Sequence, residues 1–181
     1  MAVNVGLFVD GNNVFYMQKD QGWWINWRKL RSYFGEHQGN EITECFYFTG
    51  MPHYSDAEQI KKQRAFNKRL TQMGYTVVPK ELKVVGTTPG GEEVRKANLD
   101  IEMTLRIMQG MPHYDQAVLV EGDGDFTCLV DYLRANGKNV LVVATPNRLA
   151  TELRNAAHRT VLLKDIRAEV EDTYVKKQPN S

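Results

Sequence analysis

Short apolar, β-branched runs alternate along this chain with segments of helical periodicity, and that alternation restricts its fold more than any other feature. Residues 3–9, 42–49, 75–85, 116–120, 139–144 and 160–163 read as strands. Between them the spacing predicts helices over 14–19, 27–36, 98–108, 126–136, 148–157 and 164–173, and a long basic helix ending near Met73. Asn26 and Asn98 are expected to cap two of these helices, and Ser55-Asp56-Ala57-Glu58 has the form of a capping box for the basic one. Strands that are apolar nearly throughout are buried on both faces. They therefore imply a mostly parallel sheet between two helical layers, a three-layer α/β/α fold. The length of 181 residues suits one domain, expected over 1–174, with 175–181 as a disordered polar tail.

Lys and Arg number 23 against 22 Asp and Glu, so overall charge offers no argument for nucleic acid and any partner must be argued locally. Cys45 and Cys128 belong to no CxxC pair and have apolar neighbours. Two buried free thiols are expected, rather than zinc or a disulfide. The N-terminus lacks the pattern of a signal peptide, and no apolar run approaches the ~18 residues of a membrane span, so a cytoplasmic protein with no membrane partner is expected. Gly50-Met51-Pro52-His53-Tyr54 recurs at Gly110-Met111-Pro112-His113-Tyr114. Nothing around the two copies matches, which points to shared turn chemistry rather than a repeat.

Ligands of open α/β sheets collect where loops leave the carboxyl ends of the strands. Two such ends here are acidic and glycine-rich: Asp10-Gly11-Asn12-Asn13 and Glu121-Gly122-Asp123-Gly124-Asp125. Asp100 adds a third acid in the first turn of the helix after Asn98. Taken singly, Asp10 is an ordinary turn residue, and Asp100 and Asp125 are acids favoured by a helix dipole. Together, Asp10, Asp100, Asp123 and Asp125 suit a hard divalent cation, Mg²⁺ or Mn²⁺, which takes carboxylate oxygens, water and phosphate. Without a cation such a cluster repels itself and raises some of its own pKa values.

Lys61, Lys62, Arg64, Lys68 and Arg69 fill much of the long helix and read first as a solvated face. Lys96, four residues before Asp100, is better placed to meet a phosphate. Tyr16, Trp23, Trp24 and Trp27 follow the Asp10 loop and are candidates either for base stacking or for the core.

Phe8-Val9-Asp10-Gly11-Asn12-Asn13, Lys96-Ala97-Asn98-Leu99-Asp100-Ile101-Glu102 and Gly122-Asp123-Gly124-Asp125-Phe126 resemble, in order and spacing, the NYN domain family, and within it the bacterial and cyanobacterial LabA-like group. Glu152-Leu153-Arg154-Asn155-Ala156 is similar to a late helix of cyanobacterial members. The resemblance spans roughly residues 3–172. It implies a PIN-like three-layer nuclease fold with a metal-dependent acidic site acting mainly on RNA. By that resemblance Asp10, Asp100, Asp123 and Asp125 are the catalytic and metal-binding acids, with Asn12 or Asn13 as a polar helper; Asn12, Asn13, Lys96 and Asn98 are the substrate-binding candidates. Ala97, Glu121 and Arg106 depart from the family pattern, which commonly has Gly, Ser and a further Asp there.

The function expected is a Mg²⁺- or Mn²⁺-dependent ribonuclease leaving a 5′-phosphate and a 3′-hydroxyl. The alternative is a catalytically weak RNA-binding or regulatory protein of the same fold, favoured by Arg106 and Glu121. A homo-oligomer is compatible with either. A haloacid dehalogenase-type phosphatase needs an acid where Asn12 stands. A dinucleotide-binding domain needs a third glycine, and no acids, at residues 122–127.

Overall fold

The computed structural model describes residues 2–91, 93–96 and 98–174. Its strands are β1 (Asn4–Asp10), β2 (Glu41–Met51), β3 (Thr76–Glu81), β4 (Lys83–Thr87), β5 (Glu93–Lys96), β6 (Gln116–Val120), β7 (Asn139–Ala144) and β8 (Arg159–Leu162). Its helices are α1 (Gly11–Gln21), α2 (Trp27–Phe34), α3 (Ala57–Gln72), α4 (Asp100–Gly110), α5 (Thr127–Ala135), α6 (Thr151–Ala156) and α7 (Arg167–Val170). A six-stranded sheet runs β3-β2-β1-β6-β7-β8, every neighbouring pair parallel, while β4 and β5 form a separate antiparallel hairpin. The α/β/α fold class expected from the alternation is the one found.

Side-chain alternation divides the core in two. Val5, Leu7 and Val9 of β1 face one side with Val118 and Val120 of β6, against Val14, Met17, Trp27 and Leu30. Phe8 faces the other side with Ala117 and Leu119, against Met103, Ile107, Leu129 and Leu133. Each central strand thus buries both faces, as a parallel sheet under two helical layers requires. Among the described residues no helix is long and apolar enough to cross a membrane.

Several local expectations are corrected. Asp56, not Ser55, caps α3, its side chain accepting from Gln59 N at 3.0 Å. Leu99 is the cap position of α4, yet Asn98 still contributes, its Oδ1 accepting from Asp100 N at 3.0 Å. The segment 75–85 divides into β3 and β4. Residues 124–126 and 163–166 form single 3₁₀ turns ahead of α5 and α7, and α6 is shorter than the predicted 148–157. Asn26 caps α2 as expected, accepting from Lys29 N. Cys45 is buried, which pushes its thiol up to about 12, but Cys128 is exposed; both are free. Of the two Gly-Met-Pro-His-Tyr copies, one ends in exposed Tyr54 and the other in buried Tyr114, so they share residues and not structure. The predicted tail lies outside the described residues.

The chain leaves β1 outward through β2 and β3, then returns to lay β6 on the other side of β1. This reversal opens a crevice at the carboxyl ends of β1 and β6. The loop after β7 crosses over the turn after β6, with Ala150 N donating to Gly122 O at 2.9 Å. A Cβ on Gly122 would lie 1.9 Å from the backbone oxygen of Arg148, an atom that cannot rotate away. Gly122→Ala is therefore expected to destabilise the fold by about 2 kcal/mol, visible as a lower urea midpoint with an unchanged m-value. An unshifted midpoint would show that the crossing loop is free to yield.

Candidate active site

β1 delivers Asp10 to the crevice as its last residue, and its carboxylate caps α1 by accepting from Asn13 N at 2.9 Å. The pairing of Val9 with Val120 sets the next residues, Asp10 and Glu121, side by side. Glu121 is fully buried. Its Oε1 accepts from Gly122 N at 2.6 Å, from Asp123 N at 2.8 Å and from Asn13 Nδ2. Its Oε2 is buried with no hydrogen-bond donor among the described residues. Burial pushes the Glu121 carboxyl up to about 9, and the charge of Asp10 and a hydrogen bond to it push the same way. The raised pKa favours a neutral Glu121, which removes one of two adjacent charges at the strand ends.

The turn after Glu121 is built by its own acids. Asp123 is exposed and accepts from Asp125 N at 3.0 Å, closing the 3₁₀ turn that leads into α5. Asp125 is exposed on that turn. Asp100, half-buried at the start of α4, belongs to the same field: burial raises its pKa, and the charges of Asp10, Asp123 and Asp125 raise it further. The other three sequence-predicted acids thus lie within electrostatic reach of Asp100. Asn13 ties Asp10 to Glu121, Asn98 supports the Asp100 backbone, and Asn12 lies at the start of α1. The backbone of Lys96 pairs with Lys83 in the hairpin, and its side chain lies outside the described residues.

Arg106 is exposed on α4, away from the buried Met103 and Ile107. Glu102, four residues earlier on the same helix, pairs with Lys80 at 2.6 Å, and the same Lys80 Nζ donates to Asn98 O at 2.6 Å. Lys80 fastens the start of α4 to the end of β3, a role that sequence spacing did not reveal. Of the four aromatic candidates, Trp23 and Trp27 are core, while Tyr16 and Trp24 are exposed.

Sequence reasoning also missed the far wall. An open cleft of about 520 Å³ is lined by Asn13, Asp123 and Asp125 on one side and by Asn147, Arg148 and Glu152 on the other. Arg148 is held over the Tyr16 ring at 5.3 Å and ion-paired to Asp20 at 2.5 Å. The signal was present, since Asn147 and Arg148 follow β7 as Asp123 follows β6, and the same strand-end rule selects both.

The donor set fits a hard divalent cation in chemistry: all the acids offer carboxylate oxygen, and a cation would relieve the repulsion that raises Asp100. Among the described residues no three acidic, His or Cys side chains already stand close enough to share one ion.

An all-parallel sheet with an acidic crest at its reversal point defines a class of α/β protein that meets its ligand at the strand ends. Within that class, the chain belongs to the NYN domain family, a PIN-like nuclease family, whose model matches residues 4–164. It is 37% identical over 170 residues to the low amplitude and bright protein LabA of Synechococcus elongatus, covering 93% of this chain and 88% of that protein. It also resembles a crystal structure of a Vibrio parahaemolyticus protein of unknown function, with a TM-score of 0.71, 22% identity, and coverage of 94% of this chain and 97% of the other. The second likeness concerns the fold alone.

Glu121 makes stability depend on pH. Its folded-state pKa of about 9 lies above the ordinary 4.5, so folding takes up a proton between those values. The stability it contributes is complete below pH ~4.5 and is lost as pH rises toward 9. Glu121→Gln keeps the Oε1 acceptor and supplies an N–H to Asp10. In metal-free buffer the variant should equal wild type near pH 4 and exceed it at pH 8 by about 1 kcal/mol or more. Urea melts across that range check this, and parallel profiles would contradict the raised pKa.

Proposed function

We propose that this protein is a divalent-metal-dependent ribonuclease that hydrolyses RNA phosphodiester bonds at the acidic crest. The observation that supports it most is the convergence of charge on Asp100 from Asp10, Asp123 and Asp125, so that acids from three separate places in the chain share one field. Such repulsion is a standing cost to the fold, and a catalytic cation is the ordinary reason to retain it. In this reading Asp10, Asp100, Asp123 and Asp125 would hold Mg²⁺ or Mn²⁺, which when bound lowers the pKa of water and stabilises the leaving oxygen. The protein's own contribution is placement. Protonated Glu121, held by Asn13 and two backbone N–H groups, orients Asp10 without adding a charge. Asn12, Asn13, Asn98 and Lys96 would bind the RNA backbone, and water attack would leave a 5′-phosphate and a 3′-hydroxyl.

A second reading is an RNA-binding regulatory protein of weak activity. It is favoured by the present separation of the carboxylates and by a buried, neutral acid at position 121. Labelled single-stranded RNA incubated with Mn²⁺, Mg²⁺ or chelator separates the two. Cleavage with metal and none with chelator is expected, and Asp10→Asn or Asp125→Asn should slow it by about 100-fold or more. Millimolar Mn²⁺ should raise the melting temperature of wild type and not of these variants. Binding without cleavage under every metal would favour the second reading. Because Arg106 projects from an exposed position, Arg106→Asp should change the cleavage rate by less than about tenfold, or roughly 1.4 kcal/mol in barrier. An inert wild type activated by that substitution would reverse the assignment.

A further inference from the structure

A second cavity opens on the same edge of the sheet, and neither the acidic crest nor the core accounts for it. It measures about 460 Å³ and lies between α1, α2 and α3, floored by Trp27, Tyr47 and Phe66. Phe15 and Trp24 stand at its mouth, 44% and 38% exposed, with ring centroids 6.0 Å apart. Exposed aromatic rings beside buried ones give a flat ligand both a face to stack on and an apolar enclosure.

Polar side chains, Gln18, Gln63 and Arg69 among them, share its lining with the aromatic ones. Gln18 spends its Oε1 on Ile25 N at 2.8 Å, which leaves its amide NH₂ without a partner among the described residues. Gln63 donates through Nε2 to Thr49 Oγ1 and Asn67 Oδ1, which leaves its Oε1 likewise without a donor. An unspent donor and an unspent acceptor on residues of the lining match the mixed edge of a nucleobase.

Position narrows the ligand further. Gly11 and Asn12 belong to the cavity wall and directly follow Asp10. Gly11 can serve there because its missing Cβ would meet Phe48 O at 2.6 Å. The cavity wall thus adjoins, along the chain, the residue that ends β1 at the crest.

We propose that this cavity holds one base of the RNA strand, the base neighbouring the phosphate presented to Asp10. The proposal rests on the RNA-directed reading above and adds the element that fixes the strand's register. The test uses the full chain, chelator, and a single-stranded oligoribonucleotide carrying 2-aminopurine at successive positions in turn. Stacking on an aromatic ring quenches that fluorophore. One position should be quenched well beyond its neighbours, and Trp24→Ala should remove that excess and weaken binding about tenfold. Phe15→Leu, at an exposed site, should act in the same direction if Trp24→Ala fails to fold. Uniform quenching, no binding, or a wild-type pattern in a folded variant would overturn the proposal. A free 2-aminopurine nucleoside monophosphate that binds as tightly as the oligonucleotide would also overturn it, marking a site for free nucleotides. Cleavage of the same oligonucleotide with Mn²⁺ reports separately on the nuclease: quenching at one position without cleavage retains the pocket and removes the nuclease, and cleavage without such quenching does the reverse.

Discussion

The adjacency of β1 and β6 is the constraint on which the rest of this structure depends. Because the chain runs outward from β1 through β3 and then crosses back, two strands far apart in sequence end side by side. The loops that leave them part to opposite faces, and the space between cannot be filled by either. Asp10 and Glu121 occupy that space as direct neighbours. Every other group of the site is arranged around them: Asn13 from α1, Asp123 and Asp125 from the turn after β6, and Asp100 from the helix that covers one face.

Two adjacent acids on a buried strand end would be untenable if both were charged. The structure meets this by giving Glu121 three donors on one oxygen, while burial and the charge of Asp10 raise its pKa and favour its neutral form. Glycine completes the arrangement. Gly122 lets the loop after β7 pass directly over the turn, which brings Arg148 and Glu152 to the opposite wall of the cleft. Hence the site is assembled from backbone geometry first and charge second.

Much of this was readable in the residues, for definite reasons. Strand alternation with two buried faces is a strong signal, so the parallel sheet and the boundaries of β6 and β7 match their expected ranges. The strand-end rule selected Asp10, Asp123 and Asp125 because it depends on topology and not on side-chain contacts. What the residues did not disclose depends on tertiary partners. Glu121 has a local sequence no different from that of an exposed turn acid, and only the approach of β1 buries it. Trp23 and Trp27 look like Trp24 until α2 and α7 are packed. Ser55 and Asp56 are both good helix caps, and the geometry of the preceding loop chose Asp56. Lys80 and Glu102 are brought together by the return of the chain from β3 to α4, which no helical spacing encodes.

Carboxyl-detected NMR titration of Asp100, with and without Mg²⁺, tests the central claim that the crest is a field of mutually repelling acids built to be relieved by one cation. Without metal, the midpoint for Asp100 should lie above the ordinary aspartate value, because burial and the charges of Asp10, Asp123 and Asp125 all oppose its ionisation. Saturating Mg²⁺ should move that midpoint down and shift the resonances of Asp10, Asp123 and Asp125 in the same titration. An ordinary midpoint for Asp100 that ignores Mg²⁺ would contradict the account.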